Sequence, residues 1–143
     1  MPTVSKSVLV PYAASRMFEL VARVEDYPQF LPWCGGTEVH ERTEHGMVAT
    51  VTIDFKGLRQ SFTTENEHEP DRRIAMRLRD GPFSRLDGLW VFTPLREDAC
   101  KVAFDLDYAF AGALLSRALS PVFDQIAASF VDAFVRRAEA VHG

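Results

Sequence analysis

The chain has 143 residues, 47% hydrophobic and 25% charged, with a formal net charge of −4. Such a length suits a single domain over residues 1–143, burying roughly 68–70% of its unfolded surface, and the mild negative charge excludes bulk attraction to nucleic acid. No run of about 18 apolar residues predicts a membrane span, and no charged start followed by a long apolar region predicts a secretory signal. Val4, Val8 and Val10 alternate with Ser5, Ser7 and Leu9, which predicts a first strand ending at Pro11. Lys6 falls on the apolar parity and does not fit it. Met17, Phe18, Leu20, Val21 and Val24 then take helical spacing, predicting a short helix from Ala14 to Val24 with Ser15 as a weak cap.

The next segment, Glu25 to Gly36, holds Pro28 and Pro32, which forbid a long helix. It also carries Tyr27, Phe30, Leu31 and Trp33, too much apolar surface for a solvated loop. Two readings stand: a plug for the end of the core, or a cover over an apolar pocket.

From Thr37 onward short turns separate strands. Val39 belongs to a weak strand ending at Glu44-His45-Gly46, and Met47, Ala49, Val51, Ile53 and Phe55 alternate cleanly up to a Lys56-Gly57 turn. Leu58, Phe62, Thr64 and Asn66 alternate against Arg59, Ser61, Thr63 and Glu65, with a turn at Pro70-Asp71. Ile74, Met76 and Leu78 follow; Gly81-Pro82 breaks the chain; Leu86, Gly88, Trp90 and Phe92 resume it up to Pro94. The strongest strand is Cys100, Val102, Phe104, Leu106, Tyr108 and Phe110, whose other face is Lys101, Ala103, Asp105, Asp107 and Ala109.

Residues 112–142 read as a long amphipathic helix. Val122, Ile126, Phe130, Phe134 and Ala138 form one row beside Phe123, Ala127, Val131 and Val135, with Gln125, Ser129, Asp132, Arg136 and Glu139 opposite. Ser120-Pro121 is a helix-start signal, so the spacing predicts either two helices or one kinked at Pro121. Short turns between strands mean antiparallel neighbours, and a sheet this long must curl. The predicted architecture is α+β, a curved antiparallel sheet of about seven strands wrapped around the C-terminal helix, with short helical structure between strands 1 and 2.

Chemistry is sparse. None of the four histidines (His40, His45, His68, His142) pairs with Cys, Asp or Glu at metal-ligand spacing, so no metal site is predicted. There is no nucleophile motif and no phosphate-binding glycine loop, because Gly35-Gly36 lacks the lysine and the preceding strand. Asp105 and Asp107 share the outward face and make a poor acid–base pair. Cys34 and Cys100 read as small hydrophobes and define no disulfide framework, and a cytoplasmic protein is the simplest reading.

Phe55, Phe62, Trp90, Phe92, Phe104, Tyr108 and Phe110 point inward, towards Phe123, Phe130 and Phe134 of the helix. They make either a tightly packed core or an incompletely filled one, whose residual space is an apolar cavity closed by Phe30–Trp33. On the outer face, parity places Arg59, Arg73, Arg77, Arg79 and Arg85 in solvent. This is either a solvated face diluted by Glu65 and Asp87 or a cationic stripe for the phosphates of RNA or anionic lipid, with Leu89 and Val91 beside it.

Tyr27-Pro28-Gln29-Phe30-Leu31-Pro32-Trp33-Cys34 resembles the signature of the coenzyme Q-binding START-domain family, which includes the bacterial RatA-like proteins within the polyketide cyclase/dehydrase and lipid transport superfamily. Gly81-Pro82-Phe83, Leu86-Asp87-Gly88-Leu89-Trp90, Phe92, Pro94-Leu95 and Asp132-Ala133-Phe134 through Arg137-Ala138 match it in the same order. The resemblance implies the helix-grip fold and a cavity holding an isoprenoid quinone or similar lipid, with no other cofactor. A ligand there would meet Phe30, Trp33, Phe55, Phe62, Trp90, Phe92, Phe104, Tyr108, Phe130 and Phe134, with Tyr108 able to bond a quinone oxygen. Its lipid partner implies contact with the inner membrane face. The family also implies a rival role, a ribosome-association toxin that binds the large ribosomal subunit and blocks subunit association. The superfamily's cyclases and dehydratases supply a third, enzymatic alternative, for which the sequence nominates no catalytic residue.

Overall fold

The computed structural model describes residues 3–55 and 57–142. In chain order these form β1 (Thr3–Val10), α1 (Ala14–Ala22), a 3₁₀ turn (Val24–Asp26), α2 (Tyr27–Phe30), β2 (Cys34–Thr43), β3 (Gly46–Phe55), β4 (Leu58–Glu69), β5 (Arg73–Asp80), β6 (Phe83–Arg96), β7 (Ala99–Phe110) and α3 (Ala113–His142). The strands make one antiparallel sheet ordered β1-β7-β6-β5-β4-β3-β2. From β2 to β7 each strand therefore lies beside its sequence neighbour, as the short turns require. Only β1 leaves that order, pairing with β7 at the far edge, and the helical segment after it carries the chain across to β2. Register shifts at Cys34/Gly36 and Val39/Glu41 in β2, at Thr63/Thr64 in β4, and at Phe83/Arg85 and Pro94/Arg96 in β6 bend the sheet. α3 packs against the concave face.

Alternation sets the two faces. Along β7 Cys100, Val102, Phe104, Leu106, Tyr108 and Phe110 are all buried, while Lys101, Asp105 and Asp107 are exposed. Lys6 breaks that pattern in β1 for a structural reason. Its Nζ donates to the Ala128 carbonyl at 2.8 Å and lies 3.5 Å from Asp132 Oδ2, tying the edge strand to α3. Gly88 stands on the inward parity of β6 because Met76 of β5 crosses it; a Cβ there would lie 2.5 Å from Met76 Cε.

Several sequence expectations are corrected. α1 stops at Ala22 rather than Val24, and its N-cap is Ala13, with no side-chain cap from Ser15. The short helical structure expected between the first two strands does include the proline-flanked segment, as α2, since Pro28 sits in its first turn, where no intrahelical N–H is needed. β2 begins at Cys34, not Thr37, because Gly35 is accommodated by the bulge opposite Asp54. β6 runs through Pro94, which sits at a bulge near the strand's end. Of the two arrangements open at Pro121 the single helix is the one formed, α3, while Ser120 caps no helix start; its hydroxyl lies 3.3 Å from that of Ser116. Buried Leu119, Phe123 and Ile126 hold the helix to the core on both sides of the proline. By length and composition alone α3 is also apolar enough to cross a bilayer, but 39% of its most apolar stretch is buried inside the fold. In the β3–β4 turn, Lys56 lies outside the described residues.

Candidate functional site

A cavity of about 70 Å³ lies between the sheet and α3. Ala49, Val51 and Ile53 of β3, Phe62, Thr64 and Asn66 of β4, Met76 of β5, Leu86 of β6, and Phe104 and Leu106 of β7 form its sheet side. These are the inward residues of adjacent strands, brought side by side by the antiparallel register, which sets Thr64 beside Ala49 and Asn66 beside Met47 and Met76. Phe123, Ile126, Ala127 and Phe130 come from one stripe of α3, and Val24, Tyr27 and Trp33 close the end. A void of about 20 Å³ shares Ile53, Phe62 and Phe123 with this cavity and extends towards Leu58, Pro82, Leu119 and Val122.

The wall is apolar apart from a few groups. Tyr27 donates its hydroxyl hydrogen to the Val21 carbonyl at 2.5 Å, and burial pushes that phenol well above its ordinary pKa. Thr64 and Asn66 are each only 6% exposed, and Asn66 Oδ1 is buried without a hydrogen-bond partner. Among the described residues, no Asp, Glu, His, Lys, Arg or Cys lines the wall. The hydroxyls of Tyr27 and Thr64 are the side-chain O–H groups that the wall offers, and that of Tyr27 is engaged by the Val21 carbonyl.

An apolar hollow of roughly 150 Å³ is what accommodates benzene. At about 70 Å³ this one admits only part of a small guest unless side chains move. Of the wall residues, Phe62, Met76 and Phe130 are half-buried rather than fully enclosed, Phe130 lying among the rings of Tyr27, Trp33, Trp90, Phe104 and Phe134. The Trp33 segment is more firmly fastened: the Trp33 carbonyl accepts from Asp54 N at 2.8 Å, and the Cys34 N–H donates to the Leu31 carbonyl at 3.0 Å. Arg137 of α3 holds Gln29 at 3.1 Å and lies over the Phe30 ring, 5.1 Å from its centroid. Arg42 clamps Glu25 at 2.6 and 2.9 Å, a pairing that draws the Glu25 carboxyl down to about 2. The segment plugs the core and supplies one wall of the cavity through Trp33.

Of the rings assigned to a pocket from the sequence, Trp33, Phe62, Phe104 and Phe130 reach the cavity; Phe30, Phe55, Trp90, Phe92, Tyr108 and Phe134 do not. The absentees are mostly used up by other rings. Trp90 lies 4.4 Å from Phe104 and 5.4 Å from Phe134; Phe92 stacks on Trp90 and meets Phe18 of α1 at 5.6 Å. Phe30 packs on Phe134 at 5.3 Å, and Tyr108 on Phe123 at 4.6 Å. Tyr108 is therefore not placed to bond a guest in the cavity, although its hydroxyl has no partner. Phe55 ends β3, half-buried. The space persists where the inward residues are small, at Ala49, Val51, Thr64 and Ala127. Sequence reasoning centred on the rings passed over these, and their small size at inward positions was the available signal.

The outward arginines do not form an unopposed cationic stripe. Arg59 bonds Asp54 at 2.9 Å, Arg73 faces Glu69 at 3.5 Å, Arg77 faces Glu67 at 3.3 Å, and Arg79 faces Glu65 at 3.9 Å. Arg85 is half-buried, and its Nε is buried without a partner. The β4 and β3 carboxylates thus neutralise most of the face that parity alone left cationic. Among the described residues no cluster of His, Cys, Asp or Glu is suited to a metal ion. Cys34 and Cys100 are free and buried, and burial pushes both thiols up, away from the reactive thiolate.

A family model described as polyketide cyclase / dehydrase and lipid transport matches residues 10–135. The ribosome association toxin RatA of Escherichia coli strain K12 is 44% identical over 142 residues, covering 99% of this chain and 90% of that one. A mitochondrial coenzyme Q-binding protein, COQ10 homolog B of Xenopus laevis, is 27% identical, covering 97% of this chain and 59% of its own length. Among solved structures, the Zhui aromatase/cyclase from Streptomyces sp. R1128 superposes with a TM-score of 0.84 at 20% identity, covering 96% of this chain and 93% of that one, a likeness of fold alone. The curved sheet gripping its terminal helix is the arrangement that the Tyr27–Cys34 motif implied, and the family match spans most of it. The chain belongs to the polyketide cyclase / dehydrase and lipid transport family.

Proposed function

We propose that this chain is a single-domain cytoplasmic protein that binds an isoprenoid quinone of the ubiquinone type, or a similar lipid, without transforming it. One observation carries the reading: the chain keeps a hollow in its core whose wall is almost wholly apolar and offers no ionisable group free for catalysis. The lipid-transport description of the family and the name of the Xenopus relative support it. Each buried isoprene unit contributes at most ~4 kcal/mol at ~0.8 kcal/mol per CH₂-sized group, before binding costs. A few units therefore give micromolar affinity without many polar contacts. Because the cavity is small as it stands, binding is coupled to movement of Phe130, Phe62 and Met76. A ligand stored in bilayers also brings the protein to the inner membrane face. A cyclase-type reaction is less well supported, since it needs an ionisable group in the wall, and Tyr27 is already committed to Val21.

The test is cavity filling. Ala127→Leu adds three carbons to the wall; at ~24 cal/mol per Å³, filling about 70 Å³ returns up to ~1.7 kcal/mol of stability. Mass spectrometry of lipids co-extracted with the unaltered protein from its native host should show an isoprenoid quinone, and the Ala127→Leu protein should be at least as stable and carry none. Equal lipid content in the two proteins would remove the cavity from the account.

A second reading, association with the large ribosomal subunit that blocks subunit joining, is favoured by one observation: a relative 44% identical over nearly the whole chain is named a ribosome association toxin. The mixed-charge arginine face gives it less support than an unpaired stripe would. Ribosomal RNA and proteins recovered with the chain in place of lipid would select this reading.

A further inference from the structure

We propose that Asn66 fixes the polar end of the cavity's occupant and selects one that carries an O–H donor on an apolar body: a hydroquinone, phenol or alcohol, in preference to a quinone, ether or hydrocarbon. This rests on the reading of the cavity as a ligand site.

Asn66 stands on the inward parity of β4, between Met47 of β3 and Met76 of β5. It is 6% exposed, lines the cavity, and its Oδ1 accepts no hydrogen bond from the chain. Thr64, also buried, stands two residues away on the same wall, and the remaining surroundings are aliphatic or aromatic. A buried acceptor without a partner destabilises the unliganded chain, and an apolar residue of similar size would relieve that penalty. Satisfaction by a guest gives the amide a use that packing does not. Five other buried side-chain atoms among the described residues, on His68, Arg85, Trp90, Tyr108 and Arg137, are also unpartnered, but none of these residues lines the cavity. Among the described residues, Asn66 alone combines an unpaired buried acceptor with a place in the wall. The aromatic wall of Trp33, Phe104 and Phe130 suits the apolar body of the same guest.

A donor is what an unpaired carbonyl oxygen demands. With the amide turned as it stands, a quinone would set oxygen against Oδ1 and would need the amide to rotate and present Nδ2, whereas its hydroquinone, of nearly the same shape, offers O–H groups to Oδ1 directly. An isoprenoid alcohol supplies the same chemistry.

The experiment measures dissociation constants, under anaerobic conditions, for decylubiquinol against decylubiquinone and for farnesol against farnesyl methyl ether, using the full chain and its Asn66→Leu variant. The donor-bearing member of a pair should bind about tenfold more tightly to the unaltered chain, and Asn66→Leu should bring the two members to within about twofold. Discrimination in the quinol pair names a hydroquinone; discrimination in the farnesol pair alone names an alcohol and sets the quinone aside. Members of both pairs bound equally by the unaltered chain, or a preference that survives Asn66→Leu, overturns the proposal while leaving the cavity as a ligand site. Binding of none of the four compounds overturns the ligand-site reading itself, and this proposal with it. Thermal unfolding without ligand is a second readout. Asn66→Leu should unfold at the same temperature as the unaltered chain or higher, and a clear drop would show that the amide holds the fold together instead.

Discussion

His68 shows how a single side chain couples this core to pH. Its ring meets Phe18 of α1 edge-on at 5.6 Å, and its Nε2 is buried without a partner. Burial, and secondarily the charge of Arg42, pushes its pKa below the ordinary value of 6.5. The folded chain thus keeps His68 neutral while the unfolded chain takes up a proton near 6.5. The stability this provides is complete above that pH and declines as pH falls below it. Replacing His68 with Phe should flatten the loss of stability between pH 7.5 and 5.5, measured by urea unfolding at each pH; an unchanged slope would assign the pH dependence to other groups. Neither this residue nor Asn66 announces itself in the sequence. His68 reads as a histidine near a turn and Asn66 as one more member of an alternating strand. Whether a buried polar atom finds a partner is decided by neighbours far away in the chain, which residue type and parity do not specify. The same limit explains the rings: alternation sets which face a residue takes, but not whether another ring already occupies the space in front of it.

At the scale of elements, α3 is the joint on which the cavity depends, and Pro121 is its weak point. Proline lacks the N–H that would bond the Arg117 carbonyl, and in a helix interior it costs about 3 kcal/mol relative to alanine. Because Leu119, Phe123 and Ile126 press the helix onto the core around it, the chain tolerates this break. Pro121→Ala should therefore raise stability by about 1–3 kcal/mol in chemical denaturation. A loss would mean that the shape the proline imposes is needed for the helix to seat on the sheet. The apolar rows of this helix and the strand alternation were plain in the sequence, since both are periodic properties of local residues. Element ends were less so. Gly35-Gly36 falls in the connector before Thr37 because a bulged strand glycine and a loop glycine have the same composition, and the one turn of helix at Tyr27–Phe30 hides behind prolines that exclude a long helix. Lys6 looked misplaced until Ala128 and Asp132, far along the chain, were seen to receive it.

Across the whole molecule, a bent sheet and a long helix meet imperfectly, and the mismatch is a small, largely apolar hollow. The order of elements left a filled core and a hollow one both open, and the hollow sits where Ala49, Val51, Thr64 and Ala127 leave the aromatic packing incomplete. The outer surface shows a related effect. Parity put arginines outside, but only the register of β3, β4 and β5 reveals that carboxylates stand beside most of them, so that exposed pairs of little energetic worth replace a charged stripe. The most direct test of the account is a set of intermolecular nuclear Overhauser effects between decylubiquinol and the methyl groups of the chain. Contacts from the bound molecule to Ala49, Val51, Leu106, Ile126 and Ala127 are predicted, with the Phe130 ring shifted from its unliganded position. Contacts confined to the exposed Leu9, Leu95 and Leu114, with the cavity methyls silent, would contradict it.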